Sequence, residues 1–372
     1  MKPLVLVTGG AGFIGSHVVE QFLEAGYPVR VLDKLVDQVH GGVGPRYLPS
    51  DVEFVRGDIN DSDVLRRTLK DVGVIVHDAA EVGVGQSMYE IVRYVHANTS
   101  GTAVLLELLA NEPHHVEKIV VASSMSTYGE GAYRCERHGV VHPRLRPPDQ
   151  LARREWGMRC PSCTESVEPV PTSEEKPLFP TSVYAITKLD QELLCLTVGA
   201  AYNIPVVALR YFNTYGPRQA LSNPYTGAAA IFASRLLNGA APIIFEDGRQ
   251  QRDFVHVTDI ARANVLAVES EAAHDQALNI GTGRPLSILD VALTLARLLG
   301  SSQEPEIVGQ FRAGDIRDCY ADVSLARDLI GYEPRVTFED GMRQLVGWLA
   351  EQRPEDRVSV ARAELDRRGL TK

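Results

Sequence analysis

Two residues with complementary chemistry stand four positions apart, because Tyr184 and Lys188 lie in a segment with helical periodicity. Residues at positions i and i+4 share one face of a helix, so the phenol and the ammonium are expected to be neighbours. A free tyrosine has a pKa of about 10, too high for a base at neutral pH, and a nearby positive charge lowers it. The pair is therefore predicted to take the proton of an alcohol. The alternative is a solvated pair on a surface helix.

Ser124 is the third candidate for this chemistry, since it closes a predicted β-strand and is followed by Met125 and Ser126. A hydroxyl group can hydrogen-bond the reacting oxygen and relay its proton. Ser124 is therefore predicted to act with Tyr184 and Lys188, and the alternative is an ordinary turn residue at the end of a strand.

A glycine-rich turn follows an apolar run near the start of the chain. Glycines permit a tight turn and let a pyrophosphate approach the N-terminus of the next helix. Asp33 follows at a distance of about 20 residues, where a carboxylate can bind ribose hydroxyls and would repel a 2′-phosphate. The spacing predicts an NAD site that includes Gly9, Gly12, Phe13, Ile14, Gly15 and Asp33. The alternatives are an ordinary strand-to-helix turn and a turn acid.

Three cysteines and a histidine form two short pairs, Cys135 with His138 and Cys160 with Cys163, each separated by two residues. Four ligands of this type can close a tetrahedral zinc site, and a site with no open position is structural. We predict a zinc ion that ties down the surrounding loop, with His142 as an alternative to His138. The other interpretation is three free thiols beside a surface histidine.

Strand and helix patterns alternate through the first third of the chain, which predicts an α/β fold with a doubly wound parallel sheet of the Rossmann type. The apolar runs are nearly continuous, as in strands buried on both faces. The predicted strands are 4–8, 29–32, 52–55, 74–77, 119–122 and 206–210, and the predicted helices are 13–25, 88–110 and 182–202.

The expected organisation is an NAD-binding Rossmann domain over residues 1–219 and a smaller, mixed α/β substrate domain over 220–350. Residues 250–280 are expected to return to the Rossmann domain. The segment 130–171 is rich in Pro, Arg and Cys and lacks a clean period, so it is predicted to be an insertion that carries the zinc. A polar tail, 351–372, is expected to follow.

The composition excludes several classes of partner. The net charge is −10 and the isoelectric point about 5.5, without the basic stripe of a nucleic-acid-binding protein. An acidic surface does not favour an anionic membrane, and no apolar run approaches the roughly 20 residues of a membrane span. We expect a cytoplasmic protein, in which the five cysteines are free thiols or metal ligands.

Several motifs occur in one order along the chain, and together they resemble the extended short-chain dehydrogenase/reductase superfamily, specifically its NAD-dependent nucleotide-sugar epimerases and dehydratases. The resemblance runs over residues 3–348. Its motifs are the glycine turn, residues 58–59, 77–80, Asn98, and residues 123–129, 184–188, 210–218, 252–257 and 312–315. Each motif alone could arise by chance, whereas this ordered set is typical of the superfamily.

The resemblance implies further contacts with the cofactor. Asp58 and Ile59 are expected to hold the adenine, and Ala79 and Ala80 to line the pyrophosphate and the nicotinamide ribose. Asn98 is expected in the same wall, and Tyr184 and Lys188 would also contact the nicotinamide ribose. The alternatives are that the small residues pack helices and that Asn98 is a capping or core amide.

A nucleoside-diphosphate sugar carries two phosphate charges, which an acidic protein must meet with placed arginines. The resemblance implies that Arg252 and Arg312 hold the diphosphate, that Asn213 donates to it, and that Asp315 meets the ribose or orients an arginine. Ser126 is expected to contact the substrate as well. The alternative for any surface arginine is a solvated charge.

The residues after Ser124 separate related reactions. The dehydratases that the chain resembles place an Asp-Glu pair there to eliminate water. Met125 and Ser126 can act neither as a carboxyl acid nor as a carboxylate base. The pattern therefore favours an epimerase, which removes a hydride and returns it to the opposite face. A non-catalytic NAD-binding scaffold is disfavoured by the intact Ser124, Tyr184 and Lys188.

Segments 38–42 and 81–87 resemble a subgroup that acts at carbon 4 of dTDP-6-deoxy-L-hexoses. A UDP-hexose or UDP-uronate 4-epimerase is the main alternative, and a nucleotide-sugar dehydratase or decarboxylase is less favoured. A homodimer is expected by analogy, because the superfamily often pairs its long helices.

Overall fold

The structure, a computed structural model, describes residues 2–40, 47–219, 227–350 and 358–372. Its strands are β1 Leu4–Thr8, β2 Val29–Asp33, β3 Glu53–Arg56, β4 Val72–His77, β5 Lys118–Ser124, β6 Ala132–Cys135, β7 Gly139–Val141, β8 Glu168–Val170, β9 Val206–Tyr211, β10 Asn213–Tyr215, β11 Ile243–Ile244, β12 Gln251–His256, β13 Gln276–Ile280, β14 Pro285–Ser287, β15 Glu306–Ile307 and β16 Asp318–Cys319. Its helices are α1 Phe13–Glu24, α2 Asp37–His40, α3 Ser62–Thr68, α4 Val84–Ser87, α5 Ile91–Tyr94, α6 Gly101–Asn111, α7 Pro148–Ala152, α8 Val183–Tyr202, α9 Ala228–Leu237, α10 Val257–Glu269, α11 Ile288–Leu298, α12 Ser324–Ile330, α13 Phe338–Leu349 and α14 Val358–Arg367.

The central sheet of the described chain has seven parallel strands in the order β13-β9-β5-β4-β1-β2-β3. The chain order reverses between β1 and β4, and ligands bind at such a switch point, beyond the carboxyl ends of the strands. The predicted Rossmann-type fold is confirmed, and each predicted strand lies within two residues of its observed bounds.

Successive side chains of the strands point to opposite faces of the sheet and form two buried apolar layers, one on each face. Val5 and Val7 point into a core formed with α1 and α10, whereas Leu6 points into a core shared with α3, α6 and α8. Burial on both faces explains why the strands read as continuous apolar runs.

The predicted helix 88–110 differs in the structure, because it begins at Ile91 and contains a π-helical segment, Val95–Ser100, between α5 and α6. Asn98 lies in that segment, and its backbone carbonyl accepts a hydrogen bond from Thr102 Oγ1 at 2.6 Å. A single widened turn of this kind arises from tertiary hydrogen bonds, which apolar periodicity does not record.

A second layer faces the carboxyl ends of the central strands. Its strand β12 pairs in parallel with β10 and β16 and antiparallel with β14. Helices α9, α11 and α13 pack together over this layer and form a separate apolar core. Strand β13 lies at the edge of the central sheet, and α10 packs against α1.

The insertion 130–171 has regular structure of its own, a three-stranded antiparallel sheet in the order β7-β6-β8 with the short helix α7. The chain segments that flank it meet, since Phe179 N donates to Thr127 O at 3.0 Å. Arg146 attaches it to the second layer through two hydrogen bonds to the Glu246 carboxylate, at 2.7 and 2.8 Å. Both side chains of this pair are buried.

The C-terminal segment is more than the expected polar tail. Residues 358–367 form α14, and Leu370 and Lys372 make backbone hydrogen bonds with Ala313 and Phe311 at 2.9 Å. The helix docks because Ala361 and Leu365, one turn apart, are both buried. The segment 351–372 is mostly polar, so these two apolar residues did not stand out in the sequence.

Within the described residues, no helix combines the length and the apolar character that crossing a lipid bilayer would need.

Candidate active site

A cavity of about 630 Å³ lies between the carboxyl ends of the central strands and the second layer. The glycine turn, the ends of β2, β4 and β5, the start of α8, the loop before β16 and the C-terminal segment all contribute to its wall. It is therefore the place where the motifs found in sequence order come together in space.

Ser124, Tyr184 and Lys188 line this cavity together. Ser182 caps α8, because its hydroxyl accepts from Ala185 N at 3.1 Å, and this starts the helix just before Tyr184. Tyr184 N donates to Ser87 Oγ at 3.0 Å, which holds the loop around α4 beside the phenol. The i and i+4 arrangement that the sequence predicted is present.

The protein groups alone do not lower the pKa of Tyr184, contrary to the expectation from its lysine neighbour. Burial raises the pKa of the phenol to about 12, and the charge of Asp78 adds to that rise. A hydrogen bond with Ser124 acts in the opposite direction. Hydrogen bonding with Ser124 is thus the protein interaction that favours the phenolate.

Lys188 and Asp78 have unusual pKa values for the same reason. Burial lowers the pKa of Lys188 to about 8, and the Asp78 carboxylate partly restores it. Burial also raises the pKa of Asp78 to about 7, which Lys188 opposes. Ionisable groups that line a cavity and have pKa values shifted towards neutral pH are typical of a site that transfers protons.

The glycine turn is built for close approach. Gly9 has φ +72°, and a Cβ there would lie 2.8 Å from Cα of Ala79, so only glycine fits. Gly12 is the N-cap of α1 and offers no side-chain cap, which leaves the first N–H groups of the helix available. Asp33 Oδ2 accepts from Ala11 N at 3.1 Å and so joins β2 to the turn.

Most residues predicted to hold the cofactor line the cavity, namely Gly9, Gly12, Phe13, Ile14, Asp33, Asp58, Ile59, Ala79 and Ala80. Gly15 does not, and its role is close packing, since a Cβ there would collide with the carbonyl oxygen of Gly9.

Asn98 also lies behind the wall rather than in it. Its Oδ1 accepts from Glu81 N at 2.7 Å, and its Nδ2 donates to Glu81 O and to Thr187 Oγ1. The amide is fully buried and paired on both sides, so it ties the loop after β4 to α8. These contacts favour the interpretation of Asn98 as a core amide over its interpretation as a cofactor contact.

The residues predicted for the substrate, Ser126, Asn213, Arg252, Arg312 and Asp315, all line the same cavity. The guanidinium of Arg252 is oriented by the carbonyls of residues 251, 316 and 317, each at 2.8 Å. Arg312 Nε donates to Asp315 Oδ2 at 2.7 Å, so Asp315 orients an arginine. Asn213 Oδ1 is buried and has no partner among the described residues.

Sequence reasoning missed several residues of the wall. Gln250 is buried, donates to Phe245 O at 2.9 Å, and leaves its Oε1 without a partner among the described residues. Arg235 and Arg362 line the cavity from α9 and α14. No motif marks them, because they come from segments whose position depends on how the second layer folds.

The four predicted metal ligands converge in the insertion. The ligand atoms of Cys135, His138, Cys160 and Cys163 lie within 4.8 Å of one another, and His142 is not among them. Nδ1 of His138 lies 3.5 Å from the sulfur atoms of Cys135 and Cys160. Burial opposes ionisation of Cys160, but the N–H groups of residues 162 and 163 and the adjoining thiols lower its pKa to about 6.

The comparisons with known proteins agree with this geometry. The model of the NAD dependent epimerase/dehydratase family matches residues 5–146 and 161–281. A dTDP-L-rhamnose 4-epimerase from Burkholderia thailandensis is 37% identical over 356 residues, covering 94% of this chain and 95% of that protein. The chain therefore belongs to the NAD dependent epimerase/dehydratase family.

Solved structures give the same picture. A UDP-glucose 4-epimerase from Thermotoga maritima, crystallised with UDP-glucose, is 32% identical, covers 94% of this chain and 99% of its own, and superposes with a TM-score of 0.75. One from Thermus thermophilus in complex with NAD is 31% identical, covers 94% and 100%, and has a TM-score of 0.73. The prediction of an enzyme from the NAD-dependent nucleotide-sugar epimerases is confirmed.

Proposed function

We propose that this enzyme is a nucleotide-sugar 4-epimerase that interconverts dTDP-L-rhamnose and dTDP-6-deoxy-L-talose through a transient 4-keto sugar. One observation carries the proposal: Ser124, Tyr184 and Lys188 share a cavity with the glycine turn and with four arginines, which are Arg235, Arg252, Arg312 and Arg362. Met125 and Ser126 supply no carboxyl group for an elimination, so reversal of configuration is the favoured outcome.

The cavity fits a dinucleotide at the glycine turn. The close approach of Gly9 to Ala79 leaves no side chain in the way, and the uncapped start of α1 suits a pyrophosphate. Asp33 would meet the ribose hydroxyls, with Asp58 and Ile59 near the adenine and Ala79 and Ala80 along the phosphates. NAD supplies a reversible hydride acceptor, so the sugar would undergo no net oxidation.

The protein residues would then transfer the proton of the sugar hydroxyl. Tyr184 would take the proton of the hydroxyl at carbon 4 and later return it. Ser124 would hydrogen-bond the same oxygen, and Lys188 would stabilise the phenolate and hold ribose hydroxyls. Because burial and the Asp78 charge outweigh the Ser124 hydrogen bond and raise the pKa of Tyr184 to about 12, a further positive charge beside the phenol is needed. The oxidised nicotinamide carries such a charge.

At the other end of the cavity, Arg252 and Arg312 would hold the diphosphate, with Asn213 as a further contact. Val84, Met88 and Met125 contribute apolar side chains to the wall of the cavity. A methyl group at carbon 6 suits such a wall better than the carboxylate of a uronate, which would need a cation. This supports a 6-deoxy sugar as the substrate.

A UDP-hexose 4-epimerase is the second candidate, because the Thermotoga maritima structure above is an enzyme of that kind. Of the segment 38–42, which resembles the dTDP-dependent subgroup, Gly41 and Gly42 lie outside the described residues.

The test is incubation of the purified enzyme with dTDP-L-rhamnose, UDP-glucose, UDP-glucuronate and dTDP-glucose, followed by NMR of the products. The proposal expects the C4 epimer of dTDP-L-rhamnose without stoichiometric NADH. Faster conversion of UDP-glucose would favour the second candidate. A dehydrated 4-keto product or a decarboxylated sugar would contradict both.

We also propose that Cys135, His138, Cys160 and Cys163 bind a structural zinc ion. Three sulfur atoms and one imidazole nitrogen close a tetrahedral set, which suits zinc and leaves no open position. The core of the insertion is small, so a metal would contribute much of its stability.

The enzyme is further proposed to form a homodimer through the face of α5, the π-helical segment and α8. Val92 is 81% exposed, and Ile91, Val95, Ile186 and Leu193 on these elements are also exposed. The two elements are joined, since Thr99 Oγ1 donates to Asp190 at 2.8 Å. A second copy would cover this apolar face.

A further inference from the structure

The C-terminal segment 361–372 forms part of the wall of the catalytic cavity. Ala361, Arg362, Leu365 and Leu370 all line it. The segment is attached on the side of the second layer by the backbone hydrogen bonds of residues 370 and 372 with residues 313 and 311. Those bonds place it directly beside Arg312, which forms a backbone bridge with Thr371.

The segment also contacts the opposite side of the cavity. The guanidinium of Arg368 lies 4.3 Å from the centre of the Tyr89 ring, a distance typical of a cation–π contact. Tyr89 follows Met88, which lines the cavity. The C-terminal segment therefore connects the loop that carries Arg312 with the loop before α5.

Arg362 carries a charge into this wall. Its Nη2 donates to Gln310 Oε1 at 2.7 Å, two residues before Arg312. Among the described residues, no carboxylate forms an ion pair with it. Arg367 and Arg368 on the same segment differ, since both pair with Glu364. An arginine that faces a cavity without a carboxylate partner is suited to an anionic ligand.

We infer that Arg362 is a further substrate-binding residue, which contacts the diphosphate of the nucleotide sugar together with Arg252 and Arg312. This rests on the proposed function, because it takes the substrate to be a nucleoside-diphosphate sugar. The amide oxygen of Gln310 accepts from one N–H group of the Arg362 guanidinium. The remaining N–H groups of that guanidinium are then available to phosphate oxygens. The C-terminal helix thereby becomes part of the substrate site.

The experiment is calorimetric titration of the full-length protein with dTDP and UDP, and with thymidine and uridine as probes that lack phosphates. We expect Arg362→Ala to weaken binding of the preferred diphosphate on the order of 10- to 100-fold, the effect of one lost charged hydrogen bond. Binding of the matching nucleoside should change less than about twofold. Arg362→Lys should recover part of the loss, because the charge remains.

Arg367→Ala is the matched control, since Arg367 lies on the same helix, is largely exposed and should leave binding unchanged. Unchanged melting temperatures and retained NAD exclude a folding defect, and Arg362→Gln provides a second variant should Arg362→Ala destabilise the helix. Binding of the diphosphate within twofold of the parent, equal losses for nucleoside and diphosphate, or a parent that binds neither diphosphate would each overturn the inference. Arginine-dependent binding without any epimer would instead overturn the proposed function alone.

Discussion

Nζ of Lys188 donates a hydrogen bond to Oε1 of Gln191 at 2.7 Å, between two buried side chains one turn apart on α8. Gln191 is itself fixed, because its Nε2 donates to Thr102 Oγ1 at 3.0 Å and to Ala79 O at 3.3 Å. Gln191 therefore fixes the ammonium of Lys188 through a hydrogen bond. The position of that ammonium relative to Tyr184 depends on the packing of α8 against the sheet.

Tyr184→Phe should abolish most turnover, because it removes the hydroxyl that exchanges a proton with the sugar. A loss of roughly 10²- to 10⁴-fold is expected, with NAD content and circular dichroism unchanged. The measurement is conversion of the accepted nucleotide sugar followed by NMR. Tyr202→Phe, at the exposed end of the same helix, is the control and should be fully active. A fully active Tyr184→Phe enzyme would rule out the proton-transfer scheme.

Asp78→Asn should shift the alkaline limb of the pH profile. Burial lowers the pKa of Lys188 to about 8, and the Asp78 carboxylate raises it, so removal of that charge lowers the pKa further. Activity that needs the ammonium should then decline at a lower pH in the variant. The measurement is kcat/KM between pH 6 and pH 9.5, with the exposed Asp63→Asn as control. An unchanged or alkaline-shifted limb would contradict this assignment.

Removal of metal should affect the insertion first. Elemental analysis is expected to find one zinc ion per chain, and Cys160→Ser or Cys163→Ser should lose it and melt at a lower temperature. His142→Ala should keep its zinc, because that imidazole lies outside the ligand cluster. Zinc-free native protein, or zinc lost specifically in His142→Ala, would refute the site.

The ion pair of Arg146 and Glu246 makes a prediction about stability. Arg146→Met leaves a buried carboxylate with one arginine fewer, which should cost about 3 kcal/mol of the free energy of unfolding. Arg317 still contacts Glu246 at 3.0 Å, so the low end of the usual range applies. Urea denaturation measures the loss. The exposed Arg153→Met should leave the free energy of unfolding nearly unchanged, and equal losses for both variants would contradict the argument.

Val92→Asp should convert a dimer into a monomer, because it places a charge in the centre of the exposed apolar face. Light scattering coupled to size-exclusion chromatography gives the mass directly. Val140→Asp is the matched control, since that side chain is 54% exposed but lies on the insertion. A native protein that runs as a monomer, or a Val92→Asp variant that remains dimeric, would exclude this interface.

The parts of the site that the sequence predicted share one physical property. The glycine turn, Ser124 and the Tyr184–Lys188 pair are defined by local constraints: a tight turn, the end of a strand, and one turn of a helix. Such constraints leave a fixed spacing in the chain. The same holds for the two pairs around the metal cluster, where each pair occupies a single turn.

The residues that were missed depend on long-range packing. Gln191 looks like any polar residue of a long helix, and only the fold brings it to Thr102 and His77. Asn98 belongs to a recognised motif, but its amide does not face the cavity. It hydrogen-bonds Glu81 in the loop after β4 and Thr187 on α8. The docking of α14 rests on two apolar residues in a polar segment, which is too weak a pattern to distinguish from a solvated tail.

The hydrogen bond between Phe179 and Thr127 joins the chain segments that flank the insertion. Loops whose ends already meet tolerate changes of length, because the flanking backbone need not move. Natural or engineered versions of this enzyme could therefore carry a shorter or longer piece between these two positions and still present the serine and the tyrosine at the same separation. We therefore expect the number of residues between Ser124 and Tyr184 to vary more among related enzymes than the geometry around the two side chains.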